Sequence, residues 1–247
     1  MRFLPVEWHD SLPSTNTYLE KKIANKEPVP SGIIVAARQQ TAGIGRYNRS
    51  WFSGSNQNLA FSFLLQLDMN PIELPSLTMA CAVAVAQSLK SMNIDAVTKW
   101  PNDVLVKYKK ICGILSKQIP KPDDEGYFVI VGCGININMN EDEAKSIDKP
   151  ATSVFIETGK QYQLDALLTE FLNRIQSEVS QWEEQGFAGI RQEWEELHKP
   201  LGTYMMMNEN EIKISGAFAG FGEHGELILM DADGMQHTII QGDVSYE

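Results

Sequence analysis

The sequence predicts an α+β protein that ends in a small β-barrel, and three observations carry the prediction. Short apolar runs rich in β-branched residues, bounded by Gly, Pro or polar clusters, read as strands. Longer stretches with helical spacing of apolar residues alternate with them. Past residue 200 the texture changes to brief strands separated by GFGEHGE and DADG, turns spaced roughly every ten residues as in a small barrel.

Taken in order, Ser14-Thr15-Asn16 precedes TYLEKKIANK, so one of these three caps a helix. GIIVAARQ, Gly32 to Gln39, is a buried strand that delivers the chain into the loop TAGIGRYNRSW. NLAFSFLLQL, Asn58 to Leu67, is a second strand, and Pro71 to Asn93 a helix with an Ala-rich, tightly packing face. AVTKWPND ends in a loop. DVLVKYKKICGILSKQI reads as a hairpin turning at Lys107 to Lys110, and YFVIVGCGININ as an apolar strand opening into a small polar loop. Gln163 to Gln185 is a long amphipathic helix and Phe187 to Leu197 another; EIKI, ELILM and HTII are the barrel strands. The domain boundary is placed near Pro200, giving units 1–199 and 200–247.

Composition narrows the function. A chain of 247 residues with 43% hydrophobic and 21% charged residues is an ordinary globular protein, one large domain or a medium one plus a small one. The apolar run Met79 to Leu89 is too short and too polar at its ends to span a bilayer, and Pro5, Glu7 and Asp10 interrupt any secretory core at the start. Three scattered cysteines without a CxxC fit a reducing compartment, so a cytoplasmic location is expected. A net charge of −11 argues against sequence-independent binding of nucleic acid. The charge is unevenly spread, however. Residues 1–122 hold 14 Lys+Arg against 8 Asp+Glu, and residues 123–247 hold 7 against 24, which points to a small anionic ligand in the first half.

Common phosphate and hydrolase motifs are missing. There is no GxxxxGK[ST], no GxSxG and no HExxH, and His9, His198, His224 and His237 lack ligand spacing. Gly132-Cys133-Gly134 follows a strand as a dinucleotide fingerprint does, but Ile137 stands where the third glycine belongs. What remains is a set of loops at strand or helix ends, each rich in ligand-type groups: Ser14 to Asn16, Gln40 to Trp51, Lys99 to Asp103, Lys110 to Gly113, and Gly132 to Asn136. Each alone is as well explained by turns or solvated charge. Their joint occurrence in this order is the signal.

QTAGxGRxxRxW, KWPND, KKICGIL and GCGININ together resemble the catalytic domain of biotin–protein ligases, from about Asp10 to Asn138, with the terminal barrel matching that family's SH3-like domain. The resemblance implies a mixed sheet with packed helices, related to class II aminoacyl-tRNA synthetases. It implies two steps: biotin carboxylate attacks the α-phosphorus of ATP, giving biotinyl-5′-AMP and pyrophosphate, and a carrier-protein lysine then attacks the mixed anhydride and expels AMP. Neither step needs an enzyme nucleophile; both need cations and positioning.

By position, Lys110 matches the lysine that bridges biotin carboxylate and α-phosphate. Arg46 and Arg49 match the phosphate-gripping arginines, Lys99 is expected at the β/γ-phosphates, and Asp103 is expected to position a lysine or Mg²⁺. Trp51 is expected over the adenine, Asn136 at its edge, and Asn102 beside them. Ser14, Thr15, Asn16 and Gln40 offer hydroxyl and amide groups to biotin's ureido ring, with Gly43 and Ile44 in the adjoining loop. Small residues at Gly113 and Gly132 are expected to leave room for the bicyclic ring and valeryl chain. The family's loop runs GRGRxGRxW; here Ile44 replaces an arginine and Asn48 a glycine, and Gly43 to Arg49 is a natural lid. The implied partner is a biotin carboxyl carrier protein. No DNA is expected, because the Ser-Thr-Asn motif begins at residue 14 and leaves no space for the helix-turn-helix some members carry. A homodimer stays open beside a monomer. Alternatives are a lipoate or octanoate ligase of the same fold, or a binding protein without catalysis.

Overall fold

The computed structural model describes residues 2–68, 70–122, 126–198, 202–209 and 212–246, with backbone alone at 48, 209 and 212. The boundary expected near Pro200 falls at residues 199–201, outside the described residues.

Seven strands form the first sheet: β1 (Val6–His9), β2 (Ile34–Ala37), β3 (Leu59–Leu67), β4 (Ala96–Lys99), β5 (Asp103–Val106), β6 (Lys109–Pro120) and β7 (Tyr127–Ile135). They lie in the order β1-β2-β3-β7-β6-β5-β4. β1 runs parallel to β2 and the other neighbours are antiparallel, so the sheet is mixed. A second, antiparallel sheet of five strands follows: β8 (Tyr204–Glu209), β9 (Ile212–Phe221), β10 (Leu227–Met230), β11 (Gln236–Ile239) and β12 (Asp243–Tyr246), ordered β11-β10-β9-β8-β12. This is the SH3-like unit.

The two faces of the first sheet have different fates, and β3 shows why. Its residues point alternately to opposite sides. Leu59, Phe61, Phe63 and Leu65 enter the main core, whereas Leu64 joins a smaller one with Leu19, Val35 and Ile130. The main core lies under α2 (Ser76–Ser91), with α5 (Leu164–Gln185) and α6 (Phe187–Leu197) packed on it. Residues Ser76 to Ala86 of α2 are all buried, so the alanines serve close approach on every side. By length and composition Pro71–Ser91 could cross a membrane, but its apolar window is 72% buried inside the protein, as befits a core helix. The smaller core lies under α1 (Thr15–Ala24), which covers only part of the opposite face.

Four details differ from expectation. The hairpin turns at Lys107-Tyr108, both with positive φ (49° and 65°), so Lys110 lies within β6 and not in the turn. The expected helix Pro71 to Asn93 is a 3₁₀ turn, Pro71–Glu73, followed by α2; Asn93 lies past the helix with φ 61°. Ser14 occupies the N-cap of α1, yet its side chain makes no capping bond. β1, β8, β12, α3 (Glu141–Lys145) and α4 (Val154–Thr158) went unforeseen: each is short, and pairing or a local cap decides it.

The helix layers are pinned by a buried bond. The Trp182 indole N–H donates to Ser76 Oγ (2.8 Å), which in turn donates to Glu73 O (2.7 Å). Ser76→Ala leaves that fully buried N–H without its acceptor, and we expect a loss of about 1–3 kcal/mol, read as a lowered midpoint in urea unfolding with m unchanged.

Candidate active site

Where α1 stops covering the sheet, β7 changes character. Its residues on that face run Ile130, Gly132, Gly134 toward Asn136: an apolar residue under α1, then two glycines, then an amide. The glycines let other side chains lie against the strand. A Cβ on Gly132 would collide with the Asn16 amide, and one on Gly134 with the Trp51 indole. On β6, a Cβ on Gly113 would sit 2.8 and 2.9 Å from Lys110 Cε and Nζ and 3.0 Å from Trp51 Cζ3. The space at Gly113 and Gly132, expected for a ring and an acyl chain, is thus shared with Lys110, Trp51 and Asn16.

Above this floor two groups of side chains meet. The first is polar and uncharged. Thr15 donates through its backbone N–H (2.8 Å) and its hydroxyl (3.2 Å) to Gln40 Oε1, and Ser62 Oγ stands 2.6 Å from Thr15 Oγ1 and 2.5 Å from Asn16 Oδ1. Ser14, Thr15, Asn16 and Ser62 are all buried. Buried hydroxyls and amides are costly unless bonded, and the α1 N-terminus, the end of β2 and the middle of β3 supply the partners to one another.

The second group is charged. Lys110 Nζ pairs with Asp103 Oδ1 at 2.6 Å and lies 5.5 Å from the Trp51 ring centre. Trp51 Nε1 is buried without a hydrogen-bond partner among the described residues. Lys99 and Asp103 face each other across the β4–β5 pair. Burial pulls the Lys99 ammonium below its ordinary value, against the raising effect of Asp103 and Asp243. Between them Trp100 is a core residue whose Nε1 donates to Gly225 O (2.9 Å), tying this turn to the second sheet. Asn102, buried, donates to Ile114 O (2.5 Å) and accepts from Arg46 Nη1 (3.2 Å). Asn136 donates to Thr152 O (3.0 Å), fixing its amide beside the segment that carries Ala151 alongside Lys110.

The loop from Gly43 to Trp51 closes on itself. Trp51 N–H donates to Gly43 O (2.9 Å) and Gly45 N–H to Arg49 O (2.7 Å), with Ile44 bridged to Ser50. The left-handed residue in it is Tyr47 (φ 55°, ψ 34°), while Asn48, which replaces the family's glycine, is helical. Ile44 is 46% exposed. The Arg46 and Arg49 guanidinium carbons lie 5.0 and 5.5 Å from the Tyr47 ring centre. Both arginines reach the second sheet: Arg46 Nη1 donates to Gly242 O (3.1 Å) and Arg49 to Asp243 Oδ2.

Every residue singled out in the sequence therefore lies on, or on a loop bordering, this one face. Four others were missed. Ser62 had a signal, as the one hydroxyl inside an apolar strand, and Gly134 was quoted but given no role. Lys149 and Asp243 had none.

A mixed sheet with a glycine floor, ringed by cations and buried amides, defines a class of enzyme that joins and transfers through charge stabilisation and positioning. Comparison with known proteins narrows the class. Residues 8–136, which run from within β1 to just past β7, match the model of the biotin/lipoate A/B protein ligase family. The chain is 32% identical to the bifunctional ligase/repressor BirA of Bacillus subtilis, over 93% of this chain and 70% of that protein. It is 30% identical to the biotin–[acetyl-CoA-carboxylase] ligase of Paracoccus denitrificans, over 82% and 85%. It superposes on the biotin protein ligase from Aquifex aeolicus in complex with biotin and ATP with a TM-score of 0.83 at 29% identity, covering 99% of both chains. The chain belongs to the biotin/lipoate A/B protein ligase family.

The buried charge of Lys99 has a measurable cost. Its proton is held less tightly in the folded than in the unfolded chain, so the charge lowers stability at neutral pH, and the penalty fades as pH rises toward 10.5. Lys99→Met is expected to raise the melting temperature at pH 7, by about 2–4 °C for each kcal/mol relieved. The gain should shrink at alkaline pH, as calorimetry will read.

Proposed function

We propose that this chain is a biotin–protein ligase that activates biotin with ATP and transfers it to a lysine of a biotin carboxyl carrier protein. One observation carries the reading: the uncharged polar group and the cation group share one glycine floor, so an amide-recognising subsite adjoins a phosphate-binding one. That juxtaposition fits a neutral ureido head joined through a short chain to a carboxylate that must meet a phosphate. A lipoyl or octanoyl chain has no use for the Thr15–Gln40–Ser62–Asn16 group.

Each residue then has a task. Ser14, Thr15, Asn16, Gln40 and Ser62 hold the ureido ring through their hydroxyls and amides. Lys110, released from Asp103, lies between carboxylate and α-phosphate, two anions that repel in its absence, and stabilises the charge that gathers on phosphorus. The carboxylate oxygen forms a bond to the α-phosphorus as the bond to pyrophosphate breaks. Arg46, Arg49 and Lys99 take the departing phosphates, with forked guanidinium donors suited to their oxygens. Trp51, swung from Gly134, covers the adenine, and the fixed Asn136 amide reads its edge while Asn102 holds Arg46. The carrier amine then bonds to the anhydride carbonyl carbon, AMP leaves with the bonding pair, and the amine loses a proton.

Mg²⁺ comes with the nucleotide. When bound with the nucleotide it would offset phosphate charge, with Asp103 the carboxylate that would lie beside it. We also divide the chain into an activating unit, 1–199, and a barrel unit, 200–247, supported by their separate sheets. Three free, buried cysteines suit the cytoplasm.

Incubation with biotin, Mg-ATP and a carrier domain, followed by mass spectrometry, is expected to find a biotinyl group on a single carrier lysine. Transfer of lipoate in place of biotin, or no transfer, contradicts the proposal.

A further inference from the structure

One carboxylate of the second sheet sits among cations of the first. Asp243 opens β12, and its Oδ2 accepts from Arg49 Nη1. Arg46 Nη1 is 3.8 Å from its Oδ1 and Lys149 Nζ 3.9 Å from its Oδ2. The preceding carbonyl, Gly242 O, accepts from Arg46 at 3.1 Å. The three cations come from two segments far from residue 243 in sequence, the glycine–arginine loop and the stretch before Ala151, and they converge on this group. The charges of Arg49, Lys149 and Arg46 more than offset the upward push of burial and hold the Asp243 carboxyl below its usual range.

The geometry is that of an anion grip with the anion supplied from within. A carboxylate and a phosphate offer a guanidinium the same pairing of oxygens, but the phosphate carries more charge. We propose that Asp243 is an internal stand-in for phosphate: it gathers Arg46, Arg49 and Lys149 into one grip and yields them to the nucleotide's phosphates. Lys149 thereby becomes a third phosphate ligand beside the two arginines. The assignment rests on the reading that these arginines bind phosphate. As a positioning residue, Asp243 ties the loop to the second sheet and so makes that sheet part of the site. As a competitor, it sets a threshold that a weakly charged anion does not pass.

Its two roles separate experimentally, because Arg46 keeps Asn102 and Gly242 O as partners when the carboxylate is gone. Competition then outweighs the lost tether. Binding of inorganic pyrophosphate is measured by calorimetry in EDTA, and amide hydrogen exchange over residues 43–51 by mass spectrometry. Asp243→Asn is expected to bind pyrophosphate about three- to fivefold tighter, the upper part of the range of a half-exposed ion pair removed, and to exchange faster over 43–51. Asp243→Glu, which keeps the charge, should stay within about twofold of the wild type in both. Weaker or unchanged pyrophosphate binding by Asp243→Asn, unchanged exchange, or a Glu variant that behaves like the Asn variant overturns the assignment to Asp243. A wild-type chain that takes up no pyrophosphate overturns the phosphate reading, and this inference with it.

Discussion

Cations gathered at one place in a protein must be held together, because like charges resist it. At 4 Å, two positive charges near a protein surface repel by about 4 kcal/mol. Arg46, Arg49, Lys99, Lys110 and Lys149 gather toward one end of a sheet, and two carboxylates make that tolerable: Asp103 beside Lys110, Asp243 beside Arg46, Arg49 and Lys149. The rest of the architecture serves this arrangement. β5 and β6 carry Asp103 opposite Gly113 and Lys110 opposite Leu105, with a register shift between them that brings the two charges together, the Trp100 indole anchors the Lys99 turn, and the second sheet delivers Asp243 from a distant part of the chain.

The second constraint is space. A sheet face covered by a helix along its length would leave no site, and a bare apolar face would not stay bare. The chain resolves this along β7, whose Ile130 lies under α1 while Gly132 and Gly134 lie under Asn16 and Trp51. Side chains that are to meet a ligand can thus rest on backbone. The opposite face shows the contrary choice, with α2 buried on every side and α5 and α6 stacked over it.

Much of this was legible beforehand. Apolar runs located β2, β3, β6 and β7, whose burial follows from composition, and the motifs pointed to strand ends where glycines, cations and amides cluster. β1 was hidden because VEWH has no strand signal of its own; it exists by pairing with β2. The Lys107-Tyr108 turn lacks the Asn or Gly that normally marks positive φ. Asp243 reads locally as a polar turn residue, and Lys149 as solvated charge. Only the approach of segments almost two hundred residues apart makes them part of the site, and a single sequence carries no signal for that. The departures at Ile44 and Asn48 were visible, but which residue takes the left-handed conformation was not.

We propose that Lys110 activates biotin by bridging its carboxylate and the α-phosphate of ATP. The most direct test is biotin-dependent exchange of labelled pyrophosphate into ATP, compared between the wild type and Lys110→Ala, with circular dichroism confirming that the variant is folded. The account predicts exchange in the wild type only when biotin is present, and its loss by roughly a hundredfold or more in the variant, as expected when a charge acting on the transition state is removed. Exchange at the wild-type rate in folded Lys110→Ala would contradict it.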